Sequence, residues 1–368
     1  MAVGSGAVED MEMSAPTLAG AFADRPVLVT GHTGFKGSWL ALWLARLGAR
    51  VTGYALAPDT TPNLFTLSRV QETVHRHIVA DVRDGAALAA AVQAAAPEVV
   101  FHLAAQPLVR LSYREPAATW ATNVMGTVHL LEAVRSCPSV RAVVVVTTDK
   151  CYENREWPWG YRENDPLGGA DPYSASKAGA ELVVQSYRKS YFAAGGPLLA
   201  SARAGNVIGG GDWSDDRLLP DAARAVARRQ PLLIRNPAAT RPWQHVLESL
   251  HGYLLLAARL LDGDRTFADA FNFGPDAADN LSVAEVLTRL QRHWPELAWQ
   301  MDPQAGAAPR EAGFLYLDSS KARRLLDWTP TWDLARGLEQ TARWYRAVAE
   351  NPSRARAIAE QQLEQFCR

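Results

Sequence analysis

Short apolar runs alternate with amphipathic stretches from residue 26 onward. The runs are rich in β-branched residues and predict strands at residues 26–31, 49–56, 75–82, 98–105 and 141–148. The stretches between them carry apolar residues three or four positions apart, which predicts helices, for example at 38–48, 85–96 and 123–137. Because strand and helix alternate, the pattern predicts an α/β fold: a doubly wound parallel sheet of the Rossmann type, with helices on both faces.

The regular alternation stops near residue 205, and loops rich in Gly, Trp, Asp and Arg follow. We therefore expect a flexible tail over 1–24, a Rossmann domain over 25–205, and a smaller lobe, mainly for binding substrate, over 206–368. Later apolar segments, such as 231–236 and 270–274, can return to the first sheet. The boundary at residue 205 is therefore soft.

Composition excludes several classes of protein. The chain has 368 residues, 48% of them hydrophobic, so it can bury a large core. Lys plus Arg (38) nearly balances Asp plus Glu (39), so we expect no nucleic-acid partner. No apolar run is long enough to span a membrane, and no signal-peptide pattern opens the chain. Three cysteines without metal-ligand spacing favour a cytoplasmic protein without a metal site.

A glycine-rich segment follows the first strand and opens the first helix. Gly31, Gly34 and Gly37 have the spacing GxxGxxG, and Thr33, Phe35 and Lys36 lie between them. Missing side chains let the backbone turn tightly and approach a pyrophosphate at the helix N-terminus, although a plain tight turn is the alternative. The motif therefore predicts a dinucleotide site.

The ends of the second and third predicted strands do not identify the cofactor. Tyr54 and Ala55 occupy the position of the carboxylate that marks NAD, and Asp59 lies further along the loop. This position therefore leaves NAD and NADP open. Asp81 and Val82 end the third strand, where they can contact an adenine ring, although a solvated turn explains Asp81 equally well.

Acid–base residues follow the valine run 143–146 and recur in a later helix. Thr148, Asp149 and Lys150 end the buried strand, while Tyr173 and Lys177 lie four residues apart on one helical face. A lysine ammonium favours the phenolate of a neighbouring tyrosine, so we expect this pair to act as an acid and base near neutrality. A Tyr-x-x-x-Lys spacing alone is common by chance.

Six ordered motifs, "TGHTGFKG", "FHLAAQ", "TNVMGT", "TTDK", "YSASK" and "RAGNVIGGGDW", carry a resemblance. Residues 26–345 resemble the extended short-chain dehydrogenase/reductases that act on nucleotide sugars. The resemblance implies NAD as cofactor, Tyr173 as base, Lys177 as its helper and Thr148 as partner of the sugar 4-hydroxyl. It also implies cofactor contacts from the glycine segment, Tyr173, Lys177, Asp81, Val82, Ala104, Ala105 and Asn123.

Within this family, Asp149-Lys150 followed by Cys-Tyr resembles the CDP-glucose 4,6-dehydratases, which implies CDP-glucose as substrate. Once carbon 4 is a ketone, Lys150 would remove the carbon 5 proton and Asp149 would protonate the leaving 6-hydroxyl. An exposed ion pair is the plain alternative for these two residues. A 4-epimerase or decarboxylase, and a cofactor-sensing binding protein, are the alternatives for the function.

The smaller lobe supplies the remaining expectations. Arginines near its loops offer bidentate donors to a diphosphate, and surface ion pairs are the alternative for each of them. His245 is expected near the ligand, with a helix cap or a packing role as alternatives. The resemblance implies a homodimer, and the helical C-terminus at 333–351 is a candidate for pairing. The expected substrate-binding residues are Gln106, Asn206, Arg217, Leu218, Arg235, Arg241 and His245.

Overall fold

The computed structural model describes residues 18–303 and 314–368. Seven strands form one parallel sheet in the order β10-β6-β5-β4-β1-β2-β3. This order confirms the predicted doubly wound Rossmann sheet. Its strands are β1 (Pro26–Thr30), β2 (Arg50–Ala55), β3 (Arg76–Val79), β4 (Val99–His102), β5 (Ala142–Val146), β6 (Leu198–Ala204) and β10 (Ala270–Phe273).

Helices cover both faces of the sheet and carry its connections. Several begin at a side chain that accepts a backbone N–H, as Asp84, Asp171 and Asp333 do. The helices are α1 (Leu18–Phe22), α2 (Phe35–Arg46), α3 (Leu64–Leu67), α4 (Gly85–Ala95), α5 (Val109–Arg114), α6 (Pro116–Trp120), α7 (Gly126–Arg135), α8 (Pro172–Ser190), α9 (Leu218–Ala227), α10 (Val246–Leu261), α11 (Val283–Gln291), α12 (Ser320–Leu326), α13 (Leu334–Glu350) and α14 (Ala355–Phe366).

The valine run explains how β5 is covered on both faces of the sheet. Successive side chains of a strand point to opposite faces. Val143 and Val145 pack in the cluster that contains α4 and α7, while Val144 and Val146 pack in the larger cluster that contains α2 and α10. Because helices cover both faces of β5, all four consecutive residues must be apolar.

The smaller lobe is built from short strands near one end of the sheet. Strands β7 (Asn206–Ile208), β9 (Thr240–His245) and β11 (Asn280–Ser282) form one sheet, and β8 (Leu232–Ile234) pairs with β12 (Trp299–Met301) in another. Of the two segments that could return to the main sheet, 270–273 does so beside β6, and 232–234 does not.

The chain is ordered earlier than the sequence suggests. Helix α1 occupies residues 18–22, and Phe22 is fully buried against Phe101. The expectation of a flexible tail over 1–24 is therefore wrong for residues 18–22, because Phe22, Ala21 and Leu18 pack against the core. Residues 1–17 lie outside the described part. Across 18–303 and 314–368, no helix has the length and apolarity needed to cross a bilayer.

Candidate active site

A large cleft opens at the carboxyl ends of the parallel strands, beside β1 and β4. The strand order reverses between these two strands, and such a switch point is where open α/β sheets bind ligands. The cleft has a volume of about 1560 Å³ and is lined by both the Rossmann domain and the smaller lobe. Single-ligand pockets measure roughly 300–1,000 Å³, so this cleft has room for two ligands.

The glycine segment forms one wall of the cleft with its backbone. Gly31 has φ +75°, and a Cβ added there would lie 2.7 Å from the backbone nitrogen of Ala104. A Cβ on Gly37 would lie 2.1 Å from the carbonyl oxygen of Gly31. Thr33, Gly34, Phe35 and Lys36 line the same wall. The turn therefore requires glycine at both positions and leaves its backbone open to a ligand.

At the far end of this wall, the last residue of β2 is Ala55, which carries no carboxylate. Ala55 and Asp59 line the cleft there, and Thr33 donates a hydrogen bond to the carbonyl of Leu56 at 2.8 Å. Asp81 and Val82 also line the cleft. Hydrogen bonds from Arg83 lower the pKa of Asp81. Asp81 is therefore an anion at neutral pH, and its contact with an adenine ring remains a prediction.

The residues that end β5 form a hydrogen-bonded group. Thr148 donates to Oδ1 of Asp149 at 2.9 Å, and Nζ of Lys150 lies 3.4 Å from the same oxygen. Thr148 and Lys150 line the cleft, whereas the Asp149 side chain is 0% exposed and lies behind them. Asp149 Oδ2 is buried and has no hydrogen-bond partner among the described residues. The alternative of an exposed ion pair is therefore wrong for Asp149.

Tyr173 and Lys177 reach the cleft from the first two turns of α8. Asp171 caps this helix, and Ser112 accepts a hydrogen bond from the backbone nitrogen of Tyr173 at 3.1 Å. Lys177 donates to the carbonyl of Val146, the last residue of β5, at 3.2 Å. The two elements that carry the acid–base residues are therefore joined at the cleft.

Burial shifts both titrating groups. It raises the pKa of Tyr173 to about 12, although Thr148 and Arg217 oppose this shift. It lowers the pKa of Lys177 to about 8, against the opposing charge of Glu181. The expectation that Lys177 brings the phenol near neutrality is therefore not met, because desolvation outweighs nearby positive charge.

Lys36 extends across the cleft wall to the opposite helix. Its Nζ donates to the hydroxyl of Tyr253 on α10 at 3.1 Å. Burial, together with the positive charges of Arg217 and Lys177, lowers the pKa of Lys36 to about 7. The Lys36 side chain therefore lines the interior of the cleft, while its backbone belongs to the glycine segment.

Ala104 and Ala105 line the cleft, but Gln106 and Asn123 do not. Asn123 lies in a π-helical turn, Ala121–Met125, and its amide donates to the carbonyl of Gln106 and to the hydroxyl of Ser176 on α8. The Gln106 side chain donates to Thr119 and to the carbonyl of Leu108. Both amides therefore brace the loop after β4, and the structure does not support direct ligand contact.

The smaller lobe contributes cations to the opposite wall. Asn206, Leu218 and the arginines 217, 235 and 241 all line the cleft. Arg217 pairs with Asp212 at 3.1 Å, and Arg235 lies 3.7 Å from Asp216. Oδ1 of Asn206 is buried without a partner among the described residues. The structure thus brings together the residues expected to bind the nucleotide end of a substrate.

His245 does not reach the cleft, which contradicts its expected ligand contact. Its side chain is 1% exposed and accepts from the backbone nitrogen of Leu247 as the N-cap of α10. The ring packs against Trp39 and Trp332. The expectation was wrong because packing by the C-terminal segment, which is distant in sequence, encloses the ring.

The sequence analysis missed a buried ion pair next to the acid–base residues. Glu181 lies four residues after Lys177 on α8, and Arg203 lies on β6. Their side chains are 2.8 Å apart and almost fully buried. The spacing Tyr173, Lys177, Glu181 places all three on one helical face, and that spacing was the available signal.

Comparisons with known proteins agree with this geometry. The model of the GDP-mannose 4,6 dehydratase family matches residues 28–341. The CDP-glucose 4,6-dehydratase of Salmonella typhimurium is 50% identical over 327 residues, which cover 87% of this chain and 90% of that protein. The dTDP-glucose 4,6-dehydratase of Xanthomonas campestris is 28% identical over 86% of this chain and 92% of that protein.

A solved structure shares the fold at similar coverage. DesIV, a dTDP-glucose 4,6-dehydratase from Streptomyces venezuelae crystallised with NAD, superposes with a TM-score of 0.72 at 26% identity, over 87% of this chain and 97% of that one. The family match covers most of the chain, and the 50% identical relative is matched over nearly its full length. The chain therefore belongs to the nucleotide-sugar 4,6-dehydratase family of extended short-chain dehydrogenase/reductases.

Proposed function

We propose that the protein dehydrates CDP-glucose to CDP-4-keto-6-deoxyglucose. The observation that carries this proposal is the meeting of Thr148, Lys150, Tyr173 and Lys177 with the glycine segment in one cleft. The 50% identity to a CDP-glucose 4,6-dehydratase supports CDP-glucose as the substrate. An epimerase has no need for the Asp149–Lys150 pair, so this pair favours dehydration.

The glycine wall fits NAD as the cofactor. Side chains at Gly31 and Gly37 would clash with the backbone of Ala104 and of Gly31, so glycine at both positions permits the tight turn whose backbone can approach a pyrophosphate. When bound, NAD accepts a hydride from carbon 4 and returns it to carbon 6. The lack of a carboxylate at Ala55 removes one ribose contact, so we expect weak retention and a response to added NAD⁺.

Tyr173, Thr148 and Lys177 act on the 4-hydroxyl. Tyr173 takes the hydroxyl proton while Thr148 shares a hydrogen bond with the same oxygen. Because burial raises the pKa of Tyr173 to about 12, the phenolate needs positive charge close by. Arg217 already lowers this pKa, and Lys177 is an ammonium below its pKa of about 8. Arg217 therefore supports Tyr173 as the base, and the role of the Lys177 ammonium as its helper stays an expectation.

Lys150 and Asp149 act on carbons 5 and 6. A ketone at carbon 4 makes the carbon 5 proton acidic, and Lys150, which lines the cleft, removes it. Asp149 is the expected acid for the 6-hydroxyl, which leaves as water; because its side chain lies behind Thr148 and Lys150, this step requires the carboxyl to turn into the cleft. Lys150 then returns a proton to carbon 5.

The nucleotide end of the substrate belongs on the wall of the smaller lobe. Arg217, Arg235 and Arg241 offer guanidinium donors to the diphosphate in a chain with no overall positive field. The unpaired oxygen of Asn206 accepts a hydroxyl or amino hydrogen of the ligand. Leu218 adds apolar contact at the start of α9.

We also propose a cytoplasmic homodimer, but with a different surface from the C-terminal helix. Exposed apolar side chains lie on two helices that contact one another: Trp120 on α6 and Leu182 on α8. Helices α13 and α14 bury Trp344 and Phe366 in their own chain instead. The exposed Trp120 and Leu182 side chains therefore support pairing through α6 and α8. The unpaired cysteines fit a reducing compartment.

Incubation with sugar nucleotides tests the proposal. Purified protein with added NAD⁺ is offered CDP-glucose or dTDP-glucose, and products are read by NMR. We expect a 4-keto-6-deoxy product, formed preferentially from CDP-glucose and faster with added NAD⁺. Unchanged substrate or a 4-epimer would contradict dehydration. Equal use of dTDP-glucose would contradict the preference for a cytidine nucleotide.

A further inference from the structure

The ion pair Glu181–Arg203 is the centre of a buried network behind the cleft. The carboxylate of Glu181 accepts from Arg203 at 2.8 Å, from the Ser201 hydroxyl at 2.8 Å and from the Thr147 hydroxyl at 2.5 Å. Thr147 immediately precedes the Thr148–Lys150 group. Glu181 therefore ties the end of β5 to the helix that carries Tyr173 and Lys177.

Arg203 extends the same network to the other side of that group. Its Nη1 donates to the hydroxyl of Tyr152 at 2.8 Å, and the Tyr152 hydroxyl donates to Oδ1 of Asn272 on β10 at 2.7 Å. Asn272 in turn donates to the carbonyl of Tyr161 at 2.9 Å. The segment between Thr147 and Tyr152 is thus held at both ends by one ion pair.

Stability alone does not account for this arrangement. Both side chains are at most 4% exposed, and desolvation of two such charges offsets much of their attraction. The Nε of Arg203 is buried without a partner among the described residues. A well-packed apolar pair would serve stability as well or better. What the ion pair adds is fixed direction, because each hydrogen bond sets the position of one attached element.

We propose that Glu181 and Arg203 are positioning residues that set the Asp149–Lys150 segment against Tyr173 and Lys177, and that they govern elimination more than hydride removal. This inference rests on the proposed function. Hydride removal at carbon 4 depends on Tyr173 and Lys177, which the helix α8 itself positions, and on Thr148, which directly follows the Thr147–Glu181 hydrogen bond. Asp149 and Lys150 lie further from that hydrogen bond, between the two held ends of the segment. Elimination depends on Asp149 and Lys150, whose segment the network holds at both ends. Its rate is therefore the one that falls most when the network is broken.

The negative charge of Glu181 also acts on Lys177. Burial lowers the pKa of Lys177, and Glu181 and Cys151, which face it, oppose that shift. Burial likewise lowers the pKa values of Lys36 and His102, and the charge of Lys177 adds to both shifts. Removing the Glu181 charge therefore lowers the pH at which Lys177 loses its proton. A residue with a purely structural role would leave that pH unchanged.

The test uses the hydroxyl that joins Arg203 to Asn272. Tyr152→Phe removes this hydroxyl and keeps the ring, and Tyr187→Phe on α8 is the matched control, because its hydroxyl donates only to Glu132 outside the cleft. Single-turnover absorbance of reduced cofactor reports hydride removal, and deuterium wash-in at carbon 5 reports proton abstraction. We expect Tyr152→Phe to slow wash-in about tenfold or more, with hydride removal within about twofold.

Charge variants complete the test. In Glu181→Gln, the rate of hydride removal should begin to fall at a lower pH than in the wild type. The double variant Glu181→Gln with Arg203→Met removes both charges and serves as the test if the single variant does not fold. The double variant should also slow wash-in selectively. Equal slowing of both steps, or of neither, in folded variants would overturn the inference. A wild-type protein that makes no 4-keto-6-deoxy product would overturn the proposed function instead.

Discussion

Replacement of Lys150 separates the two halves of the proposed reaction. Lys150→Met removes the amine that lies 3.4 Å from Asp149 and lines the cleft, with little change in the volume of the side chain. Lys150→Arg is the matched variant: it keeps a cation beside Asp149 but cannot act as a base, because a guanidinium does not deprotonate in proteins. The pair thus distinguishes the loss of charge from the loss of basicity.

The structure sets the expected magnitudes. Loss of a general base costs about 10²–10⁴-fold in rate, or roughly 3–5 kcal/mol of transition-state free energy. The loss of folding stability should be smaller, about 1–3 kcal/mol, because Oδ1 of Asp149 keeps its hydrogen bond from Thr148. Affinity for CDP should stay within about twofold, since the arginines of the smaller lobe are untouched.

The assay follows each step in single turnover. Both variants should still produce reduced cofactor on mixing with CDP-glucose and NAD⁺, but they should lose deuterium wash-in at carbon 5, so reduced cofactor accumulates. Wild-type wash-in in Lys150→Arg would refute the role of Lys150 as the base. Loss of cofactor reduction in both folded variants would refute the division of labour between Lys150 and Tyr173.

Three further results are expected. Cofactor reduction should fall as pH rises through about 8, because burial lowers the pKa of Lys177 to that value and its ammonium is lost above it; a flat single-turnover profile would contradict this. Gly37→Ala should weaken NAD⁺ binding at least tenfold in a fluorescence titration, while Gly195→Ala, which has no atom within 4 Å of its added Cβ, should not. His245→Ala should leave KM within about twofold but lower the free energy of unfolding by about 1–3 kcal/mol in a urea melt, because it removes a cap and a packed ring; a large rise in KM would restore the ligand role.

Local chemistry explains what could be predicted from the sequence. The valines of β5 and the spacing of the three glycines depend on neighbours within a few residues, and the Rossmann sheet and the glycine wall follow from them. Tyr173 and Lys177 likewise needed only one helical face. These features were predicted because sequence distance and spatial distance coincide.

Features that depend on distant partners were not predicted. The orientation of His245 is set by Trp332, and the burial of Asp149 is set by packing around the end of β5, so neither could be derived from adjacent residues. The pKa of Tyr173 follows from enclosure rather than from its lysine neighbour. The sequence does not distinguish Arg203 from the other arginines, because only the fold places β6, and Arg203 with it, beside Glu181.

The fate of the hydrogen on carbon 4 tests the central claim most directly. CDP-glucose deuterated at carbon 4 is incubated with the protein and NAD⁺, and the product is examined by NMR and mass spectrometry. The account predicts that the deuterium appears on carbon 6 of a 4-keto-6-deoxy sugar. Deuterium that stays on carbon 4, as in unchanged substrate or a 4-epimer, or that is replaced by solvent hydrogen, would contradict it.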